Sequence, residues 1–165
     1  MDQLTVRGIT ENKVSAALVL GTTSTFTTTV TTACCINGKF GTTLGAQTNA
    51  TSPTVDARTG AAFVAMGDNQ ATVLVWGVTL AGAIALCQGS IEDTDVGVTT
   101  TAGAFRNPPQ FPLLPDDFCP IAYNLARTAP SASAFTPGTS SWTATGVTCS
   151  TVRNVTVLPD RPQTA

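Results

Sequence analysis

The acidic run Glu92-Asp93-Thr94-Asp95-Val96-Gly97 is where oxygen ligands crowd most closely in this chain. Its D-x-D-x-G opening matches the start of a calcium loop. Such a loop needs a further oxygen ligand at its fifth position and a Glu near its end. Here Gly97 takes the fifth position and Thr, Ala and Gly follow, so the sequence predicts a solvated turn without metal. A second acidic pair, Asp116-Asp117, follows Pro115 and reads as a turn start or a short cap. Asp160 lies in a proline-flanked tail. Two carboxylates astride a glycosidic bond can hydrolyse it. That chemistry is usually served by a groove lined with aromatics, and aromatics are only 6% of this chain, with one Tyr and two Trp.

The chain contains no His. This removes the commonest general acid–base, the commonest metal ligand and any Ser-His or Cys-His nucleophile pair. The five cysteines, Cys34, Cys35, Cys87, Cys119 and Cys149, include no CxxC pair and no zinc spacing. Their odd number does not read as a disulfide framework, and buried thiols acting as small hydrophobes are the expectation. Gly38 to Gly45 holds glycines and Lys39, but lacks the Gly-Lys-Ser/Thr core of a phosphate cradle and does not open a helix. No enzyme chemistry, cofactor or metal is predicted.

The apolar side chains that could act on a partner are Phe105 and Phe111, which flank a proline-rich loop, and Trp142, which follows Gly138-Thr139-Ser140-Ser141. These three are the interface candidates, since aromatic anchors are enriched at hot spots. The competing reading is that they tuck loops against the body. Trp76 stands among Val73, Val75 and Val78 and reads as core.

The elements that position these residues are strands. Thr25 to Thr32 is almost continuously β-branched. Ala33 to Ile36 leads into Asn37-Gly38, the pair that best supplies the two positive-φ positions of a type I′ hairpin turn. Leu44 to Gly60 reads as a loop ending in the turn Asp56 to Gly60, and Ala61 to Met66 as a short strand. Ala71 to Val78 is apolar on both faces, and Ala83 to Ile91 returns beside it after Leu80-Ala81-Gly82. Asn107 to Phe118 holds four prolines and reads as an extended surface loop. In Cys119 to Arg127, Ile121, Tyr123 and Leu125 alternate with Ala122, Asn124 and Ala126, the pattern of a half-buried strand. Trp142 to Thr148 and Thr151 to Leu158 are the last predicted strands. The segment Thr10 to Leu20 reads either as a short helix or as an edge strand or arm. The fold expected is all-β: an antiparallel β-sandwich, jelly-roll-like, with extended N- and C-terminal arms. The divisions are residues 1–21 as arm or short helix, 22–158 as the sandwich and 159–165 as a tail.

Charged residues are 11% of the chain and the net charge is −2. The usual charged share is about 25%, and the difference is made up by Thr, Gly, Ala and Ser. A surface of hydroxyls and methyls can be covered by a neighbour at little desolvation cost, whereas Lys and Glu are depleted from interfaces. The two Lys and six Arg are scattered, so nucleic acid has no electrostatic footprint. The apolar run Val14 to Leu20 is too short to span a membrane, and the N-terminus, with Asp2 and Glu11 and no basic n-region, does not read as a secretory signal. Partner proteins are what remains.

Along the chain stand Cys35-Ile36-Asn37-Gly38-Lys39, Ser52-Pro53-Thr54-Val55-Asp56-Ala57-Arg58-Thr59-Gly60-Ala61-Ala62-Phe63, the turn at Gly82, Asn107-Pro108-Pro109-Gln110-Phe111-Pro112, Cys119-Pro120-Ile121-Ala122-Tyr123 and Leu158-Pro159-Asp160-Arg161-Pro162. In this order they resemble a group of tailed-bacteriophage virion structural proteins, from about Thr25 to Pro162. The resemblance implies a small capsid decoration (cement) protein. Such a protein is made in the host cytoplasm, sits on the capsid surface of the virion, and clamps the major capsid protein as a trimer or dimer. The alternative is another virion binding module: a head-fibre base, a tail component or a glycan-binding receptor module.

Overall fold

The computed structural model describes residues 10–132 and 134–164. Among them every regular element is a β-strand and every strand pair is antiparallel. The chain builds β1 (Glu11–Asn12), β2 (Leu18–Leu20), β3 (Thr25–Thr28), β4 (Cys34–Ile36), β5 (Lys39–Phe40) and β6 (Gln47–Thr51). It continues with β7 (Gln70–Thr79), β8 (Ile84–Gln88), β9 (Glu92–Asp93), β10 (Phe118–Thr128), β11 (Val147–Cys149) and β12 (Arg153–Asn154). No helix among the described residues is long and apolar enough to cross a membrane.

A six-stranded sheet runs β11-β10-β7-β8, with β12 added to β10 and β9 to β7. Two three-stranded sheets, β1-β4-β5 and β2-β3-β6, supply the facing layer. The result is an antiparallel β-sandwich. Its pairing is six strands against three and three, not the two four-stranded sheets of a jelly roll.

Alternation along β7 explains the layering. Leu74, Trp76 and Val78 point into one core with Leu18 and Phe26 of one small sheet and Cys34 and Ile36 of the other. Val73 and Val75 point to the opposite face, where they meet Cys87, Tyr123 and Leu125. Loops, not a further sheet, cover that second face: Phe105, Phe111, Leu114, Val155 and Leu158 pack onto it. A strand buried on both sides needs apolar residues at every position, as the run Ala71 to Val78 provides.

The Asn-Gly hairpin forms as expected. Asn37 and Gly38 have φ of 50° and 76°, and Ile36 pairs with Lys39 across the turn. Gly82 closes the β7–β8 hairpin at φ 80°.

Four expectations need correction. The strand β10 is buried on both faces instead of one, because the loops roof its second side. Its register shifts between Pro120 and Ala122. This bulge turns Ile121 into the core between the layers, while Tyr123 and Leu125 stay on the roofed face. The loop expected over Leu44 to Gly60 contains β6, paired with β3. The strand expected over Ala61 to Met66 is reduced to isolated bridges, Val55 with Ala62 and Met66 with Phe135. Trp142 to Thr148 is mostly turn, with only its end in β11.

Residues 10–20 take the extended alternative and form no helix. They are docked rather than free: Ala16 and Leu18 are fully buried, and the Asn12 N–H donates to the Thr156 carbonyl at 3.0 Å. The first nine residues of the arm expected over 1–21 lie outside the described residues. Residues 159–164 are extended and lie against the body, with Pro162 buried and the Gln163 N–H donating to the Tyr123 hydroxyl at 3.3 Å.

Candidate functional site

The loops over the second face of the central sheet bring two of the three predicted interface residues together. Prolines 108, 109, 112 and 115 have no N–H to satisfy, so this stretch can cross a surface without a ladder partner. Phe111 and Tyr123 pack edge to face, with ring centroids 5.0 Å apart at 86°. Phe105 is bridged to Thr94 through the backbone and lies under the Arg127 guanidinium, 5.6 Å from the ring centroid. That guanidinium also donates to the Gly103 carbonyl at 2.9 Å. Both Phe105 and Phe111 are half-buried and line one small cavity of about 260 Å³ beneath the proline loop.

Trp142 is in a different place. It is only 2% exposed and lies in the core between the layers. Its ring stands 5.9 Å from Trp76 and 5.7 Å from Phe135, and its Nε1 donates to the Thr25 carbonyl at 3.0 Å. As a surface anchor Trp142 is therefore corrected: it ties the 135–142 segment to β3.

The acidic run spreads along the sheet edge. Glu92 and Asp93 are exposed and pair with Ala71 and Gln70 through the backbone. Asp95 faces the Arg106 Nε at 3.4 Å, with both side chains largely exposed. The Gly97 N–H is taken by the Asn69 side chain at 3.0 Å. Among the described residues no three His, Cys, Asp or Glu side chains gather where they could hold a metal ion. Asp116 contributes its backbone carbonyl, which accepts from the Asn37 amide at 3.2 Å.

One carboxylate is committed to the fold. Asp56 is buried, and its Oδ1 accepts from the Arg58 and Thr59 N–H groups at 2.9 and 3.0 Å. Its Oδ2 accepts from the Gln88 N–H at 2.8 Å. It thus pins the turn 56–60 to the outer edge of β8, where the Ala57 N–H also donates to the Leu86 carbonyl.

The five thiols are free, and four of them are buried. Burial, and then the negative charge of Asp56, push the Cys87 thiol up from 9.0 to about 12. Burial alone pushes Cys149 to about 12. The Cys119 thiol is pushed up by its hydrogen bond with Cys34 and then by burial. Neutral thiols of this kind are poor nucleophiles at neutral pH.

A further opening lies between the proline loop and the C-terminal segment. It is a cleft of about 600 Å³ lined by Phe105, Arg106, Asn107, Pro109, Arg161 and Gln163, among others. Sequence reasoning passed over Arg106, Asn107, Arg161 and Gln163. The available signal was slight: each arginine stands within two residues of a proline in a segment that cannot join a sheet.

No family model matches this chain, and neither a curated protein nor a solved structure matches it.

Proposed function

We propose that this chain is a structural virion protein of a tailed bacteriophage, a cement protein that binds the outside of an icosahedral capsid and stabilises it. The observation that carries the reading is the exterior. With charge at 11% of residues, the surface is made of Thr, Ser, Ala and Gly, interrupted by large apolar side chains left open to solvent. Phe40 and Val98 are each 75% exposed and Leu113 is 71% exposed. Such a surface is cheap to desolvate and suits permanent coverage by a neighbour.

The chemistry-bearing side chains support a non-catalytic role. The buried carboxylate has both oxygens occupied by the backbone, and the Cys87 and Cys119 thiols are pushed towards their neutral form. Both Trp and the one Tyr are buried, so none offers the open aromatic platform on which a sugar stacks. This favours a protein partner, the major capsid protein, over a glycan. Closed symmetric oligomers are the rule for such proteins, and the role proposed here is performed as a dimer or trimer.

The test is to mix purified protein with undecorated capsids and pellet them. Co-sedimentation at a fixed ratio to capsid subunits is expected. Failure to co-sediment, or retention on a glycan array instead, would overturn the reading.

A further inference from the structure

The cleft between the proline loop and the C-terminal segment brings two arginines to one opening. Seven Lys and Arg lie among the described residues, and two of them, Arg106 and Arg161, line this one opening. Asn107 and Gln163 add amide groups, while Phe105 and Pro109 supply apolar wall, and among the described residues no Asp or Glu lines it. Asp95 stands 3.4 Å from the Arg106 Nε. Both partners there are exposed, and an exposed pair of this kind is weak. An incoming carboxylate can replace it.

The two arginines are held from behind. Phe105, next to Arg106, is bridged to Thr94 and covered by Arg127. Arg161 precedes the buried Pro162 and the Gln163 N–H that donates to the Tyr123 hydroxyl. Guanidinium groups at a partly apolar cleft recognise carboxylates by paired hydrogen bonds. The amides of Asn107 and Gln163 can serve a peptide backbone as donor and acceptor together.

We propose that this cleft is a binding site for an acidic peptide segment of a partner protein, with Arg106 and Arg161 taking its carboxylates. The proposal names the chemistry of the contact. It rests on the cement reading only in expecting the partner to be a protein.

The probe is a fluorescein-labelled oligoglutamate peptide, titrated with the full chain at low salt and followed by anisotropy. Saturable binding is expected, weaker as salt rises. Arg161→Gln and Arg106→Gln should each weaken it about fivefold. Arg58→Gln, on the Asp56 turn away from the cleft, should leave it unchanged, and thermal melts should show all three variants folded. Equal binding of an oligoglutamine peptide, or wild-type affinity in both cleft variants, would overturn the proposal. So would a uronic-acid oligosaccharide that binds more tightly than the peptide and is lost in the same variants. The two readings fail separately. Wild-type protein that binds oligoglutamate but does not pellet with capsids overturns the cement role alone. Protein that pellets with capsids but ignores oligoglutamate overturns the cleft assignment alone.

Discussion

Three backbone N–H groups end on the carboxylate of Asp56, and this makes it the charged residue whose loss is easiest to forecast. Asp56→Ala removes the acceptor of the N–H groups of Arg58, Thr59 and Gln88. Urea denaturation should show a loss of about 2–4 kcal/mol. Asp56→Asn should recover only part of this, because its amide nitrogen must face one of those donors. The thiols give a second residue-scale expectation. The Cys87 proton is held to about 12 in the folded chain and released near 9.0 once unfolded. A group whose folded value is raised stabilises the fold below its unfolded value, and that stability is lost as pH climbs. Between those limits the unfolded state binds fewer protons, so stability should fall by about 1.4 kcal/mol per pH unit from this thiol. Urea melts at stepped alkaline pH should show a shallower fall in Cys87→Ala. At this scale the sequence was readable where the chemistry is local: the 56–60 turn and the burial of four of the five cysteines follow from residue type. Trp142 was not. A Trp on a Ser/Thr-rich stretch looks like a surface residue until Trp76 and the Thr25 carbonyl, distant in sequence, are seen to hold it.

Among the elements, the contact of β7 with β10 sets the tolerances. A Cβ built on Gly77 would overlap the Phe118 ring and come within 2.7 Å of the Cys119 carbonyl oxygen. Gly77→Ala should therefore destabilise by about 1–3 kcal/mol, read as a lowered Tm, although Ala is the better residue for an ordinary chain. The ring of Phe118 is part of the roofed face, so the same variant should loosen the cover over Tyr123. β7 and the Asn37-Gly38 hairpin could be read from sequence because each is specified by its own residues. The bulge in β10 could not. Counting every second residue assumes an unbroken ladder, and one extra residue at Ile121 breaks the count. β6 was missed for a related reason: Gln47–Thr51 has no apolar alternation. It is recruited by β3, whose Thr27 and Thr28 hydroxyls accept from the Asn49 and Gln47 N–H groups at 3.1 Å.

For the molecule as a whole, one core joins all three sheets. Phe26, Trp76, Trp142 and Phe135 form a continuous aromatic chain with centroid steps of 5.5, 5.9 and 5.7 Å. A shared core of this kind unfolds in one step, and calorimetry should show a single transition. Trp142→Ala should lower its midpoint, at a cost of about 3–5 kcal/mol. A second, separate transition would show that the small sheets fold apart from the large one. The layering itself was only half legible. The sandwich could be inferred from strand and turn spacing, but nothing local announced that one face would be closed by loops.

That closure has a mechanical consequence. Tension applied at the C-terminal side reaches the 155–164 segment first. It is held by the Gln163 contact to Tyr123, the bonds from Asn12 to the Val155 and Thr156 carbonyls, one bond from the Val155 N–H to the Ile121 carbonyl, and the two-residue pairing of β12. These attachments are met one after another and give way singly, like a zip. β10 and β7 are joined by nine register pairs and must slide past each other all at once. The rim is a fuse and the centre a rivet: a chain so built can be tugged loose at its edge, and reseat, while its middle never feels the load.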